Sequence, residues 1–394
     1  MAHEDNRSAA PRLAAVDLLR GIVMVVMALD HVRDFISSAR FDPSDLARTW
    51  PSLFATRWIT HFCAPTFVFL AGTGAFLQQK NGKSAGALAR FLVTRGAWLV
   101  LLELTVVRLG WELNFDYDSA FVQVIWAIGA SMVLLAPLVF LPARVVGALG
   151  VALIVLHDLA DGVKAHGDGV WADLWRIIHT PGPVALPGGH TVFIAYPLVP
   201  WVGVMAAGYA FGLLLDGAAD VRRRRLSTLG GSMVVAFVVL RAAGVYGDPR
   251  PWHAEDTFAR SVISFLACEK YPPSLCYLLM TLGPGILALP LLERVTSKLA
   301  RPFVVFGRVP LFYYVLHLFL AHAVALALSV ARYGVPLPAL FHAPFGVQFP
   351  DGYGYSLPIV YVVWLLVVLA LYPACAWFAG VKRRRRDLTW LSYL

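Results

Sequence analysis

Ten stretches of about twenty mostly apolar residues follow one another along this 394-residue chain, parted by short polar segments. They run approximately over 15–36, 57–78, 87–107, 120–140, 143–160, 191–215, 229–246, 273–292, 303–328 and 357–378, the fifth being short and tightly joined to the fourth. A helix crosses a bilayer core of about 30 Å with about 20 such residues. Water cannot be the solvent for this surface: 59% of the residues are hydrophobic and 14% charged, against about 25% charged in a soluble domain. The fold class expected is an all-α polytopic membrane protein, with about ten transmembrane helices in one bundle.

The charges between the stretches test that count. Lys and Arg gather in cytoplasmic loops. With the N-terminus inside, the cytoplasmic segments receive Arg7 and Arg12, then Lys80, Lys83 and Arg90, then Arg144, the run Arg222 to Arg225, the group Arg294, Lys298 and Arg301, and the run Lys382 to Arg386. The opposite loops hold ELNFDYDS, HDLADGVKAHGDG, GDPRPWHAED and FHAPFGVQFPDGYGYS, which are acidic, aromatic and rich in His and Gly. A miscount by one would scatter the basic runs over both faces. Both termini are therefore expected in the cytoplasm, with 1–14 a cytoplasmic segment, 15–380 the membrane domain and 381–394 a basic tail. The net charge of +9 then reflects topology, and no nucleic-acid partner is implied. The stretch 251–272 reads as interfacial or re-entrant, and no cleaved signal peptide is expected.

Four cysteines, Cys63, Cys268, Cys276 and Cys375, form no CxxC pair, so neither a metal site nor a disulfide framework is expected. The chemistry must come from ionisable groups inside apolar stretches, where each faces a bundle interior or a cavity. The first stretch is the richest. Arg20 and His31 are eleven residues apart, about three helical turns, which sets them on one face about 16 Å apart along the axis. His31 has Asp30 before it and Asp34 within one turn, so a carboxylate is at hand to orient its ring. The competing reading is an interfacial boundary, with Arg20 snorkelling at one end and Asp30 to Asp34 marking the other.

His61 enters the second stretch at the same face as His31, where Pro65 is expected to kink the helix; Arg57 reads as an interfacial anchor. Glu103 lies deep in the third and needs a basic partner or a shifted pKa. Pro197 and Pro200 should interrupt the sixth, lining a ligand path or only kinking it. Lys270 follows Glu269, with which it can pair, and precedes a double proline expected to start the eighth helix. His317 and His322 sit among aliphatic residues of the ninth and could be satisfied core histidines.

DLLRG at 17–21, DHVRDF at 30–35, THFCAPTFVFLAG at 60–72 and KYPPSLCYLLMTLG at 270–283 resemble bacterial membrane proteins related to heparan-alpha-glucosaminide N-acetyltransferase, within the transmembrane acyltransferase superfamily. The resemblance implies transfer of an acyl group, usually acetyl, from acetyl-CoA or another acyl-CoA at the cytoplasmic face to a sugar hydroxyl or amine beyond the membrane. The O-acyltransferase branch has an Arg in its first helix and a His eleven residues later, which Arg20 and His31 match. It often has a His or another polar group near the position of His317. The lysosomal enzyme is thought to use a His in the loop after its first helix; ISSARFDPSDLARTWPSLFATRW contains none, and His61 stands roughly where that enzyme has an Asp.

Acyl transfer needs a base for the acceptor proton and donors for the developing oxyanion. The expected catalytic set is His31 as base, Asp30 or Asp34 as its orienting group, and His61 as a second proton carrier or acceptor ligand. Arg20, Lys270 and His317 are the expected cofactor-side residues, with Lys270 also suited to an oxyanion or the acceptor. Partners would be acyl-CoA, a carbohydrate or glycolipid acceptor and membrane lipid, in the bacterial inner membrane, with a homodimer left open. Direct transfer and an acyl-histidine route are both open. The alternatives are a transporter of a small solute, lipid or proton, and a structural partner in a cell-envelope complex.

Overall fold

The computed structural model describes residues 14–164, 167, 169–341, 349–385 and 387–393. Arg7 and Arg12 of the predicted N-terminal segment, and Arg386 of the tail, lie outside the described residues. The fold is an all-α polytopic membrane fold organised around its first helix, α1 (Ala14–Ile36), of whose 23 residues eighteen are buried. Protein rather than lipid surrounds α1, which is why it can carry Asp17, Arg20, Asp30, Arg33 and Asp34.

Helices α2 (Pro51–Thr60) and α3 (Cys63–Lys80) form one bent rod against α1. The bend is at His61–Phe62, and Pro65 belongs to the first turn of α3, where a missing amide costs no intrahelical bond. Then α4 (Ala85–Leu102) runs through a π-turn at Glu103–Val107 into α5 (Arg108–Glu112). Next come α6 (Val124–Leu135), α7 (Ala143–Leu156), the short α8 (Val170–Ile178), α9 (Leu198–Phe211) and α10 (Ala219–Ala243). The short α11 (Phe258–Leu266) precedes α12 (Leu275–Leu292), α13 (Arg301–Arg308), α14 (Pro310–Tyr333) and α15 (Leu357–Arg384). α12 to α15 also pack on α1, while α9 joins α3, α6 and α7 in a second layer and α10 lies along α12.

Each of the ten predicted stretches contains helix, and seven helical segments among the described residues are long and apolar enough to cross a membrane. Several boundaries differ from expectation. The stretches 120–140 and 191–215 open as strands, β1 (Ser119–Val122) and β3 (Thr191–Ile194). With β2 (Gly182–Ala185) they make a small sheet in the order β1-β3-β2; β1 runs parallel to β3, with Ser119 opposite Thr191, and β2 runs antiparallel to it. Pro197 precedes the first residue of α9 and Pro200 lies in its first turn, so these prolines start a helix instead of breaking one. Arg222 to Arg225 are part of α10 and not of a loop ahead of it. The ninth stretch breaks at Val309, because Pro310 disfavours helical backbone in the residue before it. At nine residues, α11 is about 14 Å long, under half of a bilayer core.

Cross-contacts sort the bundle into two ends. Lys80 pairs with Asp216 at 2.7 Å, and Arg222 and Arg223 share Glu293 at 2.7 and 2.9 Å, at the basic end. Arg57 and Asp30, and His157 and the Pro273 carbonyl, meet at the opposite end. α1 runs parallel to α13 and α14, so Arg20 reaches the Gly307 carbonyl at 3.3 Å and His31 reaches His317. Two glycines set that approach: a β-carbon at Gly21 would lie 1.7 Å from the Phe303 carbonyl oxygen, and one at Gly307 would lie 1.9 Å from that of Asp17.

Candidate active site

The parallel register of α1 and α14 brings two imidazoles together. His31 Nδ1 and His317 Nε2 are 2.7 Å apart, with the rings 4.9 Å between centroids and nearly coplanar at 15°. His317 Nδ1 lies 2.9 Å from the Tyr313 carbonyl oxygen. That oxygen can only accept, so His317 Nδ1 holds the proton and, in a neutral ring, its Nε2 is an acceptor. His31 Nδ1 must then donate, which leaves the lone pair on His31 Nε2. His317 is wholly buried, whereas His31 keeps 9% of its surface, so only one member of the pair is within reach of a ligand. Trp111 and Tyr314 stand edge-on to the His31 ring at 4.9 and 5.9 Å and hold its plane.

The carboxylates take another role than the one expected. Asp30 forms an ion pair with Arg33, whose Nη1 lies 2.9 Å from one oxygen, and accepts a hydrogen bond from Arg57 Nη1 at 2.5 Å on the other. Asp34 receives Arg33 Nη2 at 2.6 Å. The group in hydrogen-bond contact with the His31 ring is therefore His317, 286 residues away, and not the adjacent Asp30 or Asp34. Arg57, read from the sequence as an interfacial anchor, is an inward cation on the last turn of α2. Arg33 and Arg57 were the residues missed. The i, i+3 spacing of Asp30 and Arg33 was a usable signal for the first; nothing local signalled the second.

His61 occupies the bend between α2 and α3, 2% exposed. Its carbonyl accepts from the Tyr277 hydroxyl at 2.8 Å, and its Nδ1 has no hydrogen-bond partner among the described residues. Lys270, 7% exposed, stands on the loop ahead of α12 and lies within electrostatic reach of Asp30, His31 and His61. That loop is braced from behind. The Glu269 carboxylate accepts from the backbone amides of Lys270 and Tyr271, each at 3.0 Å, and pairs with Arg250 at 3.1 Å instead of with Lys270. Asp248 accepts from the Glu269 amide at 2.9 Å and the Ser274 hydroxyl at 2.7 Å, and His157 contacts the Pro273 carbonyl at 3.0 Å. Beside this brace, Asp161 pairs with His179 at 3.3 Å; burial and the neighbouring Asp158 carboxylate push Asp161 up to about 6.

The structure thus brings Asp30, His31, His61, Lys270 and His317 to one end of the bundle and leaves Arg20 at the other. Arg20 lies against Asp17 at 3.5 Å and the Gly307 carbonyl, within electrostatic reach of Arg95. Of the two outcomes expected for Glu103, a basic partner is not the one found among the described residues; its two oxygens accept the backbone amides of Gln123 at 2.7 Å and Trp126 at 3.3 Å, capping α6 from the π-turn after α4. His322 donates to or accepts from no site residue, its Nδ1 contacting the Gly110 carbonyl at 3.0 Å. No group of three or more His, Cys, Asp or Glu suited to a metal ion occurs among the described residues.

The family model for heparan-alpha-glucosaminide N-acetyltransferase, catalytic, matches residues 12–244, more than half of the chain. The chain belongs to this family. No curated protein matches it. Membership in the N-acetyltransferase family makes an acetyltransferase role the coarse assignment. The matched span of this N-acetyltransferase-family chain covers α1 to α10 and so holds Asp30, His31, Arg57 and His61. Lys270 and His317 lie beyond it, which means that the second half of the histidine pair comes from outside the matched region.

Proposed function

We propose that the chain moves an acyl group, acetyl by the chemistry of its family, from acetyl-CoA to a sugar hydroxyl or amine on the far side of a bacterial cytoplasmic membrane. The basic end of the bundle is cytoplasmic in this reading, as are both termini. Arg20 and Arg95 on that rim suit the CoA phosphates, and the pantetheine arm would cover the ~16 Å along α1 to His31. A carbohydrate or glycolipid acceptor would enter from the opposite end, where His61 and Lys270 are the groups that would hold it.

The observation that carries this reading is the proton order of the histidine pair. With Nδ1 committed to His317, His31 Nε2 is the base. It takes the acceptor proton as the acceptor oxygen or nitrogen attacks the thioester carbonyl. The new C–O or C–N bond forms, the C–S bond breaks, and the proton on His31 passes to the departing thiolate. His317 is a positioning residue that fixes the His31 tautomer, in the place that a carboxylate fills in a Ser-His-Asp triad.

Radiolabelled acetyl-CoA and an amino-sugar acceptor, supplied to the full chain in detergent, test this. Transfer is expected in the wild type and should fall about 10²–10⁴-fold in His31→Ala. Full activity in a folded His31→Ala protein overturns the assignment.

A further inference from the structure

The end of the bundle that holds His31 has more donors than acceptors. Asp30 is ion-paired with Arg33 and Arg57, and Asp34 with Arg33. No carboxylate among the described residues comes within 4.0 Å of Lys270 Nζ, whose position is marked by a 5.0 Å distance to the Tyr271 ring centroid. Farther out, Arg40 acts on Asp34 and donates to its carbonyl at 2.5 Å, and Asp42 acts on Arg57, so these two add one charge of each sign. Three inner cations therefore face two carboxylates. Four more polar atoms at the same place have no hydrogen-bond partner among the described residues: Arg57 Nε, His61 Nδ1 and, inside the ion pair of Asp30 with Arg33, Asp30 Oδ1 and Arg33 Nη1. An ammonium that has the Tyr271 hydroxyl for a neighbour but no counter-ion is costly at this depth unless an anion binds there.

We infer that Lys270, Arg57 and His61 form a subsite for one anionic oxygen group, a carboxylate, sulfate or phosphate, carried by the acceptor. The inference rests on the acceptor side of the proposed function and narrows its substrate class. The anion is held by Lys270 through charge and by His61 through a hydrogen bond from Nδ1, while Arg57 stays on Asp30 by one nitrogen and offers Nε. Lys270 keeps 7% of its surface exposed and Asp30 and His31 keep 9% each, whereas His61 keeps 2% and His317 none. An acceptor fixed by its anion beside Lys270 presents its hydroxyl or amine to His31, which the same cluster adjoins. The loop bracing from Glu269, Asp248 and His157 fits this role, because it holds the ammonium in place with backbone contacts and leaves Nζ beside the Tyr271 hydroxyl with no carboxylate partner among the described residues.

The test uses the purified full chain and inorganic sulfate, titrated against chloride at constant ionic strength with thermal unfolding as readout. A saturable rise in Tm is expected in the wild type. Lys270→Gln should weaken sulfate at least tenfold, Lys270→Arg should keep most of it, and Arg176→Gln, which removes a cation at the same end, should leave it unchanged. Sulfate binding equal in wild type and a folded Lys270→Gln protein overturns the inference, as does no binding in either. Phosphatidylglycerol nanodiscs that abolish the response, with phosphatidylcholine nanodiscs preserving it, would make the anion a lipid headgroup and overturn the acceptor assignment. Acetyl transfer to glucosamine 6-sulfate should exceed that to glucosamine, with the preference lost in Lys270→Gln. Should neither sugar be acetylated, the proposed function fails, while the sulfate titration still decides whether the anion site exists.

Discussion

Replacing His317 by Leu separates the base from the group that sets its tautomer. The two side chains are similar in volume, so the wholly buried position stays filled, and the change removes one hydrogen bond to His31 and one to the Tyr313 carbonyl. A buried hydrogen bond between neutral groups contributes about 0.5–1.5 kcal/mol. As a bias toward the tautomer with a free Nε2, that energy is worth about two- to thirteen-fold in rate. Loss of ring orientation adds to it, under a ceiling of about 10²–10⁴ for losing the base altogether. The expected result is a fall in kcat of about ten- to a hundred-fold with KM for acetyl-CoA little changed, less severe than in His31→Ala. His317→Gln should recover most of the loss, since its amide oxygen can accept from His31 Nδ1 while its NH₂ donates to Tyr313. Initial rates with radiolabelled acetyl-CoA, alongside Tm, make the measurement. A folded His317→Leu protein within twofold of wild-type kcat, beside an inactive His31→Ala, refutes the reasoning.

Gly21→Ala drives a methyl into the Phe303 carbonyl, and because the obstacle is backbone no rotamer relieves it; a loss of about 1–3 kcal/mol or more is expected in denaturant unfolding, where an unchanged midpoint would contradict the contact. Glu103→Gln keeps the shape but weakens the cap on α6, so unfolding should come about 1–2 kcal/mol earlier, with faster amide exchange at Gln123 and Trp126 than in wild type. Asp161, raised to about 6 from an ordinary value near 4, binds its proton more tightly folded than unfolded. Its contribution to stability is therefore present below about pH 4 and is lost as pH rises through 6, so Asp161→Asn should flatten the decline of Tm between pH 4 and 6, and an unaltered slope would count against it.

The membrane fold was legible because lipid imposes a rule on every residue: apolar length and the sidedness of Lys and Arg are written locally along the chain. The π-turn at Glu103 and the helix starts at Pro197 and Pro200 were not. A carboxylate or a proline acts through whichever backbone group comes to lie beside it, and Glu103 finds its amides twenty and twenty-three residues on. The placing of Arg20 and His31 on one face followed from helical periodicity alone, and α13 and α14 meet that face at both points.

Which group answers His31 was beyond sequence reading. Adjacent carboxylates were the reasonable choice, yet Asp30 and Asp34 are spent on Arg33 and Arg57, and the imidazole that touches His31 is 286 residues away. Residue order alone determined the solvent of this protein, the helical character of its apolar stretches and the face on which its first helix carries charge, because those depend on composition and short-range period. Only the packed bundle decided the proton order of His31 and the surplus of donors around Lys270, because hydrogen bonds and charge pairing are settled by distances of about 3 Å between segments whose separation in sequence says nothing of their separation in space.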